Sequence, residues 1–562
     1  MTASARTPRL PRRALVATVA GLMLLASCSS DDGSASTATT TTVEGTAETS
    51  TTLAGGTPEC TQEPTIAPVE AEPVADVDTD LTITSFDGTE IRAHWFPAPD
   101  ANADEPVPTV MMGPGWSQPG DVSTDGNVLF GALGISAMNE RGINVLTWDP
   151  RGFGESTGRA NVDDPEHEGR DAQVLVDWLA EQPEVALDRD GDPRLGMVGF
   201  SYGGGIQFVL AALDCRVDVL VPGIAWNSLV SSLGKNETLK AGWAGLLVDI
   251  VSPDQVHPNV IEAYEQGLTT ATVSDEHREW FAARGPGELI DQVNVPTLIV
   301  QGTVDGLFTL DEAVTNYESL ESRGVPVKML WFCGGHGACL TATGDEDRIA
   351  EASFAWLDRY LFGDESVDTG PEIDIIDQDG TRWTADSYPA EAGEPITATG
   401  SGTLELVAEG GAGSSTVDPA SDDIVGSFAG RITPSIATNS VDLTLTTADE
   451  ALVVGAPKLK FTYSGTSPAG DKPNRVFAQL VDDTYGVVVG NQITPVEITL
   501  DGETHTAEVD LEVVAQHMKP GSSLRLQLVA TTVAYAVPQL GGSIDFESIE
   551  ISLPTVTGFT KA

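Results

Sequence analysis

The stretch Leu195 to Gly205, LGMVGFSYGGG, constrains the chain more than any other. A short apolar run opening on Leu195-Gly196-Met197-Val198 reads as a strand buried on both faces. It ends in Gly199-Phe200-Ser201-Tyr202-Gly203, and a helical pattern starts at once. A serine on such a strand-to-helix turn is pushed out at the carboxyl edge of a parallel sheet, and the flanking glycines remove side chains that would collide there. The helix N-terminus behind it favours negative charge, and the Tyr202 N–H is placed to donate to an oxyanion.

The pattern alone is weak, because Gly154-Glu155-Ser156-Thr157-Gly158 repeats it. That copy follows Asp149-Pro150-Arg151-Gly152, with no strand feeding the serine and no helix starting at it, and so reads as a turn. Context selects Ser201.

A serine hydroxyl needs a base, and the base needs an orienting carboxylate. The apolar run Thr297–Gln301 ends in Gly302-Thr303-Val304-Asp305, which sets a carboxylate just past a strand end. The run Val327–Phe332 opens into Gly334-Gly335-His336-Gly337, a flexible loop carrying one imidazole. Nucleophile, acid, histidine is the chain order of the α/β-hydrolase fold, so Ser201, Asp305 and His336 are the expected catalytic residues. Asp311 and Glu312 lie near Asp305 but fit the first turn of the next helix. His94 and His167 precede Ser201, His257 and His277 fall in the expected cap, and His505 and His517 lie far downstream. A second oxyanion donor is expected after the strand Thr109–Met112, where Gly113-Pro114-Gly115-Trp116 offers the Trp116 N–H; a tight structural turn is the competing reading.

Strands are expected at Thr109–Met112, Asn144–Trp148, Leu195–Phe200, Val217–Val221, Thr297–Gln301 and Val327–Phe332, with helices at Ala172–Gln182, Tyr202–Ala212, Leu310–Ser322 and Asp347–Leu361. The segment from about 229 to 290 breaks this rhythm with helical patterning and the aromatics Trp243, Tyr264, Trp280 and Phe281, as an inserted cap would. After Gly370 short alternating segments such as Gly402–Ala408, Ser440–Thr446, Lys458–Tyr463, Val476–Val481 and Leu524–Ala530 are separated by turn residues, which reads as an all-β sandwich. The expected division is an α/β catalytic domain over 76–366 and a β-sandwich over 367–562.

The N-terminus reads as an export signal over 1–28. Arg6, Arg9, Arg12 and Arg13 precede the apolar run Ala14 to Ala26, which is shorter than the about 20 residues a membrane-spanning helix needs. The run ends in Leu25-Ala26-Ser27-Cys28, which resembles a bacterial lipobox and makes Cys28 the expected lipidation site. The expected location is then the outer face of the bacterial cytoplasmic membrane. Residues 29–75, rich in Ser, Thr, Gly and Ala at their start, read as a disordered tether. Against 84 Asp+Glu the chain has 29 Lys+Arg, a net charge of −55, which argues against nucleic acid as a partner. Cys60, Cys215, Cys333 and Cys339 remain in an oxidising compartment. Cys333 and Cys339 bracket His336 and are expected to form a disulfide, with two free thiols beside a strand end as the other arrangement open to them; elimination would then leave Cys60 for Cys215, a pairing the sequence does not decide.

In order along the chain, Phe86-Asp87-Gly88-Thr89, WDPRGFGESTGR at 148–159, Asp177-Trp178-Leu179-Ala180-Glu181-Gln182-Pro183 and GFSYGGG at 199–205 resemble the Xaa-Pro dipeptidyl-peptidase and cocaine-esterase family of α/β hydrolases. The resemblance implies a helical cap, a jelly-roll-like C-terminal domain and a triad falling on Ser201, Asp305 and His336. That family often draws a tyrosine from its first oxyanion loop, whereas this chain has Gly113-Pro114-Gly115-Trp116. The expected substrate is a small acyl ester, with an Xaa-Pro dipeptidyl-peptidase-type exopeptidase on the same triad as the alternative and a catalytically inert surface binding protein as the remote one. A dipeptidyl-peptidase must also bind a free α-ammonium, for which Asp249, Glu262 and Glu265 of the cap are carboxylates without a distinguishing context. No cofactor and no metal is expected.

Overall fold

The computed structural model describes residues 60–562 apart from 76, 125–132, 346 and 418–429. The expected signal peptide, Cys28 and the first part of the tether lie outside the described residues.

The main sheet has 12 strands. Its centre is parallel, in the spatial order Asn144–Trp148, Thr109–Gly113, Leu195–Phe200, Val217–Gly223, Thr297–Gly302, Val327–Phe332 and Ile373–Ile376. Each central strand is buried along most or all of its length, because helices cover both faces. Side chains therefore alternate between two separate cores. Met111, Met197, Ile299 and Met329 enter one, with residues of the helices Glu168–Ala180, Tyr202–Leu213 and Leu310–Ser322. Met112, Val198, Val300 and Leu330 enter the other, with residues of Ile135–Glu140 and Arg348–Tyr360.

The edges of the sheet are antiparallel. On one side Glu90–Phe96 pairs with Asn144–Trp148, and Asp80–Thr84 and Ala71–Pro73 follow outward. The expected tether to residue 75 is thus too long: Cys60 is bonded to Cys215, Thr65 and Ile66 donate backbone N–H groups to Asp177, and Ala71–Pro73 is a strand. On the other side Arg382–Ala385 and Thr560–Lys561 extend the sheet antiparallel. The sheet consequently runs on past residue 366, and the expected division there does not coincide with its end. These short outer strands carry too few residues for alternation to reveal them.

Between Val217–Gly223 and Thr297–Gly302 come the helices Leu229–Gly234, Ala241–Asp249, Pro258–Thr270 and Asp275–Ala282, where a cap was expected. Trp243, Ala263 and Phe281 from them share an apolar cluster with Tyr202, Trp226 and Phe308. Farther along, Ile396–Glu405, Ser543–Leu553, Lys458–Thr466 and His505–Asp510 form one antiparallel sheet. Ser440–Thr446, Ser523–Val529 and Arg475–Asp482 form another, with Thr494–Glu497 beside the last. Leu459, Phe461 and Ile549 of the first meet Leu443, Leu526 and Leu480 of the second in one core, so the two sheets form a sandwich.

Candidate active site

Ser201 ends the strand Leu195–Phe200 and caps the helix Tyr202–Leu213, with φ of 57° and ψ of −117°. Positive φ on a residue with a Cβ costs energy and holds the side chain clear of the sheet edge. Close backbone approach makes the turn possible, for a Cβ on Gly203 would lie 2.0 Å from the Gly113 carbonyl oxygen.

From there the hydrogen bonds run in series. Ser201 Oγ lies 2.7 Å from His336 Nε2, and His336 Nδ1 lies 2.7 Å from Asp305 Oδ2. The same carboxylate oxygen accepts from the His336 N–H at 3.0 Å, and Oδ1 accepts from the Leu307 and Phe308 N–H groups at 2.9 Å each. Asp305 is 0% exposed and His336 8%. An acid held by backbone donors on both oxygens has one orientation, and it fixes the ring that it faces. Phe308 and Trp243 present edges to the imidazole at centroid distances of 5.1 and 5.8 Å. Neither aromatic was singled out for this from the sequence, because their contact with His336 depends on the turn after Asp305 and on how the cap closes.

The second serine motif is a turn. Ser156 Oγ donates to the Asp149 carbonyl at 2.7 Å and accepts from the Arg92 N–H at 2.8 Å, so its hydroxyl is spent on the backbone. The other histidines have partners away from Ser201: His94 lies between Asp80 and Asp149, His167 beside Asp164, His505 beside Asp501 and His517 beside Glu450. His257 caps the helix Pro258–Thr270 and stacks on Trp280, and His277 is buried in the helix Asp275–Ala282.

Tyr202 is buried, and its hydroxyl faces the Asp163 N–H and the Glu168 carboxylate at 3.4 Å each. Its phenol is therefore turned to the protein interior, leaving the backbone N–H at the helix start. The Trp116 indole donates to the Leu247 carbonyl at 3.1 Å and packs edge-on against Phe153 and Tyr202. Behind Tyr202 is a group of acids that sequence reasoning passed over. Burial pushes Asp163 far above the ordinary carboxylate range, with Glu168 adding to it, and burial pushes Glu168 up to about 8. Neither carboxylate oxygen of Asp163 has a hydrogen-bond partner among the described residues.

Ser201 opens on a cavity of roughly 80 Å³, walled by Trp116, Tyr202, Trp226, Phe281, Phe308 and cap aliphatics such as Leu229 and Val248. Among the described residues no carboxylate lines it, and Arg278 is the one charged residue of that lining. Asp249, Glu262 and Glu265 are exposed residues outside that lining. Cys333 and Cys339 are joined in a disulfide around His336, and Cys60 and Cys215 in a second. Among the described residues no group of His, Cys, Asp and Glu is placed to hold a metal ion, and no helix is long and apolar enough to cross a membrane.

Residues 87–338 match the family model described as X-Pro dipeptidyl-peptidase (S15 family). A CocE/NonD family hydrolase from Staphylococcus aureus superposes with a TM-score of 0.60 at 14% identity, covering 89% of this chain and 99% of that one. An alpha-amino acid ester hydrolase superposes with a TM-score of 0.60 at 13% identity, covering 86% and 98%. At such identities the likeness is one of fold. The polyketide transferase grgF of Penicillium sp. is 29% identical over 160 residues, which is 28% of this chain and 48% of the fungal protein, so the chain spans about half that relative's length.

Proposed function

We propose that this serine hydrolase, whose residues 87–338 match the S15 family model, cleaves carboxylic esters with a bulky apolar acyl group, using Ser201, His336 and Asp305. The observation that carries this reading is the apolar cavity at Ser201, with no carboxylate among the described residues of its wall. Apolar acyl chains gain about 0.8 kcal/mol for each buried CH₂, whereas a substrate's free α-ammonium would be buried there without a counter-charge, beside Arg278.

In the proposed reaction His336 Nε2 takes the Ser201 proton as Oγ attacks the ester carbonyl. Asp305 stabilises the imidazolium, and the Tyr202 N–H, with the Trp116 N–H as second donor, receives the oxyanion. Collapse of the tetrahedral adduct breaks the bond to the alkoxy oxygen, which takes the proton from His336 and leaves as the alcohol. Water, deprotonated by His336, then attacks the acyl-Ser201 ester, and the acid is released with Ser201 reprotonated.

A panel of p-nitrophenyl esters of increasing chain length set against Xaa-Pro-p-nitroanilides tests the substrate class. Faster turnover of the anilides would replace ester by peptide as the substrate. Ser201→Ala is expected to abolish turnover and fluorophosphonate labelling, and Ser156→Ala to keep both; labelling that survives Ser201→Ala removes the triad assignment.

Leu25-Ala26-Ser27-Cys28 supports a second part of the proposal: export, and lipid anchoring through Cys28 on the outer face of the cytoplasmic membrane. Mass spectrometry of the mature N-terminus decides it, since an unmodified peptide beginning elsewhere rules lipidation out.

A further inference from the structure

The acid loop and the histidine loop leave different strands, Thr297–Gly302 and Val327–Phe332, and meet with very little space between them. A Cβ on Gly337 would lie 1.8 Å from the Val304 carbonyl oxygen and 3.2 Å from Asn491 Nδ2. Asn491 comes from far along the chain, in a turn between the short strand Val487–Val488 and Thr494–Glu497 of the sandwich. Its side-chain amide donates to the Ala338 carbonyl at 2.9 Å and to the Val304 carbonyl at 3.4 Å. Val304 immediately precedes Asp305 and Ala338 follows His336 by two positions, so one amide joins both loops. The adjoining Gln492 donates from Nε2 to the Asp305 carbonyl at 2.7 Å.

Several features mark this turn as built for that contact. Asn491 and Gln492 are 5% and 6% exposed, and burying an amide is costly unless its donors are used, as they are here. Asn491 has φ of 53°, a left-handed backbone that costs less for asparagine than for most residues and that holds its side chain in place. The Gly490 N–H donates to Gln378 Oε1 at 2.8 Å, and the carbonyl of Gln378 accepts from Thr341 Oγ1, just beyond the disulfide that closes the histidine loop. The turn is thus tied to both loops and to the base of one.

We propose that Asn491 and Gln492 are positioning residues for the triad: the sandwich reaches into the α/β part and clamps the Asp305 and His336 loops in register. The carboxylate of Asp305 fixes the imidazole, and this turn fixes the two backbones from which they project. A misplacement on the order of 1 Å between reacting groups costs about 100-fold in rate, so a clamp acting on carbonyls alone is felt in kcat.

The inference rests on the triad reading above, and the experiment separates the two. Asn491→Gly keeps a backbone that accepts positive φ and deletes the amide; Gln492→Met keeps the length and deletes the donor. With the full chain and a p-nitrophenyl ester, each is expected to lower kcat about 10-fold or more with KM within about 2-fold. Fluorophosphonate titration is expected to count as many reactive sites as in the wild type, labelled more slowly. Unchanged kcat per titrated site in both variants overturns the proposal, as does a loss explained wholly by fewer titrated sites, which is the signature of a merely structural turn. If Asn491→Gly does not fold, Gln492→Met alone decides. Mapping the label on the wild type keeps the outcomes apart: label away from Ser201 removes the triad, and label on Ser201 with undiminished kcat in the variants removes only the clamp.

Discussion

Gly203 and Gly113 meet backbone to backbone: a Cβ on Gly203 would fall 2.0 Å from the Gly113 carbonyl oxygen, and one on Gly113 would fall 2.8 Å from the Gly203 Cα. The helix that starts at Tyr202 is therefore seated against the end of the strand Thr109–Gly113, and this contact sets the height of Ser201 above the sheet edge.

Gly203→Ala forces that contact apart. Ester turnover is expected to fall about 100-fold or more, because both the nucleophile and the Tyr202 N–H shift with the helix start. Rates on a p-nitrophenyl ester, with circular dichroism to confirm folding, check it; an active Gly203→Ala enzyme would mean the helix start yields without moving Ser201.

Val248 is a half-buried cap residue in the cavity wall, so enlarging it takes acyl volume at a modest packing cost. Val248→Phe is expected to lower kcat/KM for a long-chain p-nitrophenyl ester about 10-fold relative to the acetate. An unchanged chain-length profile would place the acyl chain elsewhere.

Asp163 and Glu168 keep their protons in the folded chain at pH values where the unfolded chain has released them. The folded state then binds more protons than the unfolded one from about pH 4 upward, so these groups make stability fall as pH rises, for Glu168 until about pH 8. Asp163→Asn removes one share of that fall while keeping a residue suited to the φ of 51° at this position. The drop in Tm between about pH 6 and about pH 9 is expected to shrink by about 2 °C or more. An undiminished drop would show that Asp163 is already ionised at neutral pH.

The Cys333–Cys339 bridge closes a loop with a sequence separation of 6 around His336. A loop that short contributes about 2–3 kcal/mol through chain entropy, yet it confines a base flanked by Gly334, Gly335 and Gly337. The double variant Cys333→Ser, Cys339→Ser is expected to stay folded and to lose kcat steeply with little change in KM. Full kcat in that variant, with the wild-type bridge verified by thiol mapping, would make the bridge structural only.

The meeting of Ser201, Asp305 and His336 was legible because each sits where a buried strand gives way to a turn, and short apolar runs with glycines after them are visible without coordinates. Asn144–Trp148, Leu195–Phe200 and Val327–Phe332 fall where those runs placed them. The helix expected at Ala172–Gln182 begins earlier, at Glu168, its first turn carrying the acids Glu168 and Asp171 ahead of the apolar run that marked it in the sequence. Ala71–Pro73 and Thr560–Lys561 escaped notice, being edge strands whose partners lie far along the chain. So did the contacts of Trp243, Asn491 and Gln492, which no local pattern encodes: each touches a loop remote in sequence.

The Cys60–Cys215 bond has a mechanical meaning. Tension on the chain ahead of residue 60 would otherwise load the Thr65 and Ile66 hydrogen bonds to Asp177 and then Ala71–Pro73, an outer strand that can be unzipped one hydrogen bond at a time. The disulfide instead delivers the load to Cys215, in the turn between the helix Tyr202–Leu213 and the strand Val217–Gly223, where it is shared along the middle of the sheet. An enzyme pulled by its N-terminus then resists as a block and keeps its edge intact; reduced, the same pull would begin by peeling that edge away.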